Sequence, residues 1–188
     1  MRSASLARRA EVPLNNHRRT TMPRQLWVTL LFFVSFSALS QQIAVKPRVG
    51  ILVTTHGRLS QELKDVVEIV IGPQRQLRTV SIAGEGLDDQ RRLILEEVAL
   101  LNQGCGVLIF ADFFGGTPAN LAISVMDPGK VEVVSGVNVP ALIKAVSMSE
   151  TCDVRVVAQN AVAAGQKYLT LASDLLKRAE EGAKISER

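Results

Sequence analysis

Val49-Gly50-Ile51-Leu52-Val53-Thr54-Thr55-His56-Gly57 decides how this chain is read. Val49–Thr54 is a continuous apolar run without polar alternation, which predicts a strand covered on both faces, as in a parallel sheet. The chain then turns onto His56, with a glycine behind it and a helical pattern beginning just after. Open α/β sheets bind and transform ligands at the carboxyl ends of their strands. The only other histidine, His17, lies in a basic N-terminal stretch. A lone histidine after a strand is also a common structural hydrogen-bonding residue, so its neighbours must decide its role.

Outward from that strand the pattern alternates. Leu59, Leu63, Val66, Val67 and Val70 recur at helical spacing, and Gly72-Pro73 stops that helix. Leu77–Ile82 is a second strand. A helix follows with Ile94, Val98 and Leu101 on one face, and Asp88 or Asp89 can cap it. Val107–Ala111 is a third strand. Thr117-Pro118 starts a helix, with Thr as cap and Pro at the first helical position, and Asp127-Pro128-Gly129 ends it. Val131–Ser135 is a fourth strand and Val139–Val146 a short helix. Strands alternating with helices predict an α/β domain with a doubly wound, mainly parallel sheet. Right-handed crossovers put the strand-to-helix loops along one edge. After Ser147 two readings stay open: Val154, Val156 and Val157 favour a strand, whereas Asp153–Ala164 also fits a helix stopped by Gly165. Tyr168–Leu171 is a further strand candidate and Asp174–Gly182 a polar terminal helix.

Charge divides the chain. Residues 1–48 carry eight Lys/Arg against one Asp/Glu, and residues 49–188 carry fourteen against seventeen. The basic character therefore belongs to a leader, 1–47, and not to the domain, 48–188. No basic face with interleaved aromatics is present, which argues against nucleic acid. Leu26–Leu39 is an apolar stretch behind Arg18, Arg19 and Arg24, too short for a comfortable membrane span. With Ala38-Leu39-Ser40 it has the form of a secretory signal; an uncleaved anchor and a start codon placed too far upstream are the competing readings. Cys105 and Cys152 lack metal-ligand spacing and are expected to be buried free thiols in a reducing compartment.

Three loops follow strands on the same edge: Thr54-Thr55-His56-Gly57, Asp112-Phe113-Phe114-Gly115-Gly116-Thr117-Pro118, and Ser135-Gly136-Val137-Asn138-Val139-Pro140. Singly, each has a bland explanation as a turn or a helix cap. Together they supply an imidazole, a carboxylate and glycine-rich backbone donors around one crevice, the second at a helix N-terminus suited to anions. That set fits a phosphoryl group carried on histidine. Neutral His56 is the nucleophile, Asp112 fixes its tautomer, and Thr55, Gly57, Gly115, Gly116, Thr117, Gly136 and Asn138 are candidates to receive the phosphoryl oxygens. No Walker loop and no Ser-His-Asp order is found, and no Asp/Glu/His cluster has ligand spacing, so neither a cofactor nor a metal is expected.

Three blocks, in order, carry a resemblance: GILVTTHG with His56, FADFFGGTPANLA at 110–122, and VVSGVNVPAL at 133–142. Val49 to about Leu171 is similar to the IIA component of the mannose family of the bacterial phosphoenolpyruvate-dependent sugar phosphotransferase system. The resemblance implies that His56 accepts a phosphoryl group from the phosphocarrier HPr and hands it to a IIB partner, in sugar uptake or a regulatory phosphorelay. It matches Asp112 to the family's partner aspartate and Thr117 to the hydroxyl of its Gly-Gly-Ser/Thr-Pro turn. The family often has Trp where this chain has Phe114, so an indole donor is missing. It further implies a homodimer exchanging a C-terminal strand, which makes Tyr168–Leu171 that strand and Asp153–Ala164 a helix.

No Ala/Pro-rich linker to a IIB domain follows, which points to a free-standing IIA protein. HPr is cytoplasmic, so the resemblance implies a cytoplasmic protein, begun near Met22 or Val45–Val49, or one held at the membrane through residues 26–39. Two other functions compete. The phosphocarrier subunit of a dihydroxyacetone kinase tends to have Ser-His-Ser in place of Thr55-His56-Gly57, and a non-catalytic regulatory binding module would use His56 only as a sensor.

Overall fold

The computed structural model of the protein describes residues 46–84 and 86–177. Leu26–Leu39, the expected cleavage site Ala38-Leu39-Ser40 and residues 178–182 of the expected terminal helix lie outside them. A compact unit runs from Lys46 onward. Among the described residues no helix is long and apolar enough to cross a membrane.

Four strands form one parallel sheet: β1 (Gly50–His56), β2 (Leu77–Ile82), β3 (Val107–Ala111) and β4 (Val131–Ser135), in the order β2-β1-β3-β4. Helices α1 (Leu59–Ile71), α2 (Leu87–Leu101), α3 (Thr117–Ser124), α4 (Val139–Met148) and α5 (Val154–Lys167) connect and flank them. The chain moves outward from β1 to β2, then returns across β1 to β3. The order therefore reverses between β1 and β3, which makes that junction the switch point where such sheets open a crevice.

Burial explains the two faces. Ile51 and Val53 of β1, with Leu108 and Phe110 of β3, pack against Val67 of α1, Leu142 and Val146 of α4, and Val157 and Ala161 of α5. Leu52, Val107 and Ile109 point the other way, onto Ile94 and Val98 of α2 and Leu121 and Ala122 of α3. Alternate residues of β1 and β3 thus enter two cores, which is why these strands are apolar without interruption. Gly50 is required by close approach: a Cβ there would lie 2.6 Å from Leu101 Cβ at the end of α2.

Several local expectations are corrected. β1 runs two residues past Thr54, so His56 is its last residue. Neither Asp88 nor Asp89 caps α2; the N-cap is Gly86, and both aspartates sit in the first turn, where they favour the positive helix end. Gly116, in extended conformation, is the N-cap of α3, so Thr117 is its first residue rather than its cap. The helix ends at Ser124, before Asp127-Pro128-Gly129. Val154, Val156 and Val157 are helical, and α5 runs through Gly165 to Lys167. Gly165 is buried where α5 crosses Asn138 and Ala141; a Cβ would meet Asn138 at 3.1 Å and Ala141 at 3.2 Å, so the glycine serves packing and not termination.

Cys105 and Cys152 are not free thiols but a disulfide, with Cα atoms 4.5 Å apart across 47 residues of sequence. It joins the entry of β3 to the entry of α5, at the sheet edge opposite His56. Tyr168–Leu171 is no strand within this chain: it follows α5 as an exposed connection, with helical backbone again over 172–177.

Candidate functional site

Parallel pairing of β1 with β3 sets Thr54 against Ala111, so the residues just beyond, His56 and Asp112, emerge side by side. Asp112 Oδ2 accepts the His56 backbone N–H at 2.9 Å and lies 2.7 Å from His56 Nδ1. Oδ1 accepts the Phe113 N–H at 3.0 Å. Burial pushes the Asp112 carboxyl up, but the His56 backbone N–H, the His56 ring and the Phe113 N–H together outweigh it and hold the group below its usual range. An ionised Asp112 only accepts, so Nδ1 carries the proton and the Nε2 lone pair is left over. The imidazole is 46% exposed while the carboxylate is 9% exposed. The geometry is a reachable nucleophilic nitrogen on a ring anchored from beneath by a buried anion.

The second loop closes on the ring. Phe113 stacks on His56 with centroids 5.1 Å apart and planes 11° from parallel. A Cβ on Gly116 would fall 2.9 Å from His56 Cε1 and 2.9 Å from Phe113 Cε2, so only glycine permits this approach. Gly115 adopts φ +85°, which turns the loop into α3. Gly115, Gly116 and Thr117 thus sit where α3 begins, beside the imidazole. In the first turn of that helix the N–H groups of Thr117 and Ala119 have no intrahelical acceptor, and Pro118 has no N–H to leave unpaired.

The other candidates have structural work. Thr55 is fully buried and its hydroxyl accepts the Ser60 N–H at 2.7 Å, tying α1 to β1. Gly57 donates to the Ile82 carbonyl at 3.2 Å and turns the chain at φ +53°. Gly136 donates to the carbonyls of Ala111 and Asp112, both at 3.1 Å. Asn138 caps α4, accepting from Ala141 N–H at 3.0 Å, and donates to the Gly165 carbonyl at 3.3 Å. The structure therefore brings His56, Asp112, Gly115, Gly116 and Thr117 together and leaves the side chains of Thr55 and Asn138 and the N–H groups of Gly57 and Gly136 engaged elsewhere.

Sequence reading missed Phe113. Its only sequence signal was its place next to Asp112, in a pair with Phe114, where nothing says which of two aromatics turns onto the histidine. Phe114, at the position where the resemblance implies that the indole donor often found in the family is missing, projects into solvent at 80% exposure.

A family model described as the PTS system fructose IIA component matches residues 50–162. The mannose-specific EIIAB component of the phosphotransferase system of Escherichia coli K12 is 31% identical over 98 residues, which are 51% of this chain and 30% of that protein. The fructose-specific EIIA component of Bacillus subtilis 168 is 25% identical over 132 residues, covering 69% of this chain and 90% of that one. Among solved structures, the mannose/sorbose-specific IIA subunit of Enterococcus faecalis superposes with a TM-score of 0.59 at 27% identity, covering 66% of this chain and 94% of that one.

Proposed function

Because the chain belongs to the phosphotransferase-system IIA family, matched over residues 50–162, we propose that it is a phosphohistidine carrier: His56 takes a phosphoryl group from HPr and passes it to a IIB component or a regulatory target. The observation that carries this is the 2.7 Å contact between His56 Nδ1 and buried Asp112. It commits one ring nitrogen and presents the other. In the transfer, the Nε2 lone pair forms a bond to phosphorus as the donor's P–N bond breaks and its electron pair returns to the donor nitrogen. His56 keeps its Nδ1–H and becomes cationic, and the adjacent carboxylate stabilises that cation. The phosphoryl oxygens are received by the N–H groups at the start of α3, with Gly115, Gly116 and Thr117 shaping the cradle.

We assign this activity to residues 48–188 and the site of action to the cytoplasm, where HPr resides. The Cys105–Cys152 bond pulls the other way, since disulfides persist in oxidising compartments and are rare in the cytosol. Thiol trapping in intact cells decides between the two: free thiols agree with the cytoplasmic assignment and a persistent bond overturns it. The protein is further proposed to act as a homodimer through residues 168–171.

The central test uses the protein with phosphoenolpyruvate, enzyme I and HPr, read by intact mass. One acid-labile phosphate increment should form, and it should vanish in His56→Ala. Label persisting in that variant refutes the assignment.

A further inference from the structure

A histidine with a half-exposed ring and one hydrogen bond at Nδ1 remains free to rock about that bond. In this protein it is held from a second direction. Phe113 lies over the imidazole face at 5.1 Å and 11°, and Gly116 abuts the edges of both rings. The placement follows from one carboxylate. Asp112 accepts the His56 ring and backbone through one oxygen and the Phe113 N–H through the other, so the turn that orients the imidazole also carries the phenyl ring onto it. Phe113 contributes little to the core, since it remains 56% exposed. The ring it stacks on is the imidazole of His56.

We propose that Phe113 is a positioning residue for phosphotransfer: its ring holds the plane of His56 so that Nε2 is aimed at the incoming phosphorus, and it favours the cationic phosphoimidazole over the neutral imidazole. This rests on the carrier reading for its biological reaction, though not for its chemistry. Asp112 fixes the tautomer and the in-plane tilt; Phe113 limits rotation of the ring out of that plane. Once Nε2 is phosphorylated with Nδ1–H retained, the ring carries positive charge, and the face of a phenyl ring within about 6 Å attracts it. At an exposed site that attraction corresponds to about a threefold effect.

The experiment compares wild type, Phe113→Leu and Phe113→Tyr with two donors: purified phospho-HPr, and phosphoramidate, which phosphorylates imidazole without a protein partner. Initial rates and the half-life of the phosphorylated form are read by intact mass. The His56 ring protons are followed by NMR in the unphosphorylated protein. Phe113→Leu should slow labelling by both donors and shorten the half-life, each by about threefold. Its His56 ring signals should move downfield as the stacking ring current is lost, and Phe113→Tyr should restore every value. A loss seen only with phospho-HPr, with phosphoramidate labelling, half-life and ring signals unchanged, overturns the proposal and makes Phe113 a docking contact. A wild type that takes nothing from phospho-HPr, while its phosphoramidate labelling still depends on Phe113, refutes the carrier reading and leaves the positioning role standing.

Discussion

At the scale of single residues, the site is organised around the two oxygens of Asp112. Oδ2 holds both the backbone and the ring of His56 and Oδ1 holds Phe113, so one side chain sets tautomer, ring direction and loop shape. Asp112→Asn keeps the volume but presents a neutral amide. It should leave the fold intact and slow transfer from phospho-HPr by roughly a hundredfold, the scale of analogous acid–base partners. An unchanged single-turnover rate would remove Asp112 from the mechanism. The same carboxylate shapes acid stability. Its folded value is held below the unfolded one, near 3.9, so its stabilisation is fully present above that pH and is lost as pH falls through the depressed folded value. Wild type should therefore lose stability more steeply below about pH 4 than Asp112→Asn, as urea midpoints across pH would record.

At the scale of elements, the limits of three strands were legible, whereas the end of β1 and several helix caps were not. Leu77–Ile82, Val107–Ala111 and Val131–Ser135 are strands with the expected bounds, because apolar runs between Gly and polar punctuation have little else to become. Caps depend on backbone angles that a residue type only biases. Asp88, Asp89 and Thr117 are good capping residues, yet Gly86 and Gly116 occupy the positions, each with non-helical backbone angles there. Asn138 is the instructive case. Its side chain was assigned to phosphoryl oxygens; in the fold it caps α4 and ties it to Gly165 of α5. Asn138→Ala should cost about 1–2 kcal/mol, from a lost cap and a lost hydrogen bond. The urea midpoint should fall by roughly half a molar or more. Transfer at a given folded fraction should stay near wild type; a collapse of transfer without loss of stability would return Asn138 to the site.

At the scale of the whole molecule, two long-range features matter. The Cys105–Cys152 bond closes a loop of 47 residues' separation, which in the chain-entropy treatment stabilises the fold by about 4 kcal/mol. Cys152→Ser and reduced wild type should show the same lowered urea midpoint. Equal midpoints for oxidised and reduced wild type would mean that the bond contributes nothing. The sheet also ends at β4, whose outer edge has no strand beside it among the described residues. Nearby, Tyr168, Leu169 and Leu171 are exposed, Leu169 at 86%. An open edge and an unsatisfied apolar segment on one chain suit pairing with a second copy. In the proposed homodimer, Leu169→Pro deletes a strand N–H and should leave a monomer by light scattering. A dimer that survives the change removes residues 168–171 from the interface.

Much followed from local sequence alone. The uninterrupted apolar runs of β1 and β3 determined a parallel sheet covered on both faces, because a strand with no polar side must be buried on both. The His56 and Asp112 blocks determined a carboxylate–imidazole pair, because both follow strands on one edge. Other facts belonged to the tertiary structure. Cys105 and Cys152 are bonded only because the topology brings the entries of β3 and α5 together, a distance no sequence spacing encodes. Thr55 and Asn138 left the site because neighbouring N–H and carbonyl groups needed their side chains. Phe113, not Phe114, became the partner of His56 because the turn at Asp112 rotates one phenyl ring onto the imidazole and the next into water.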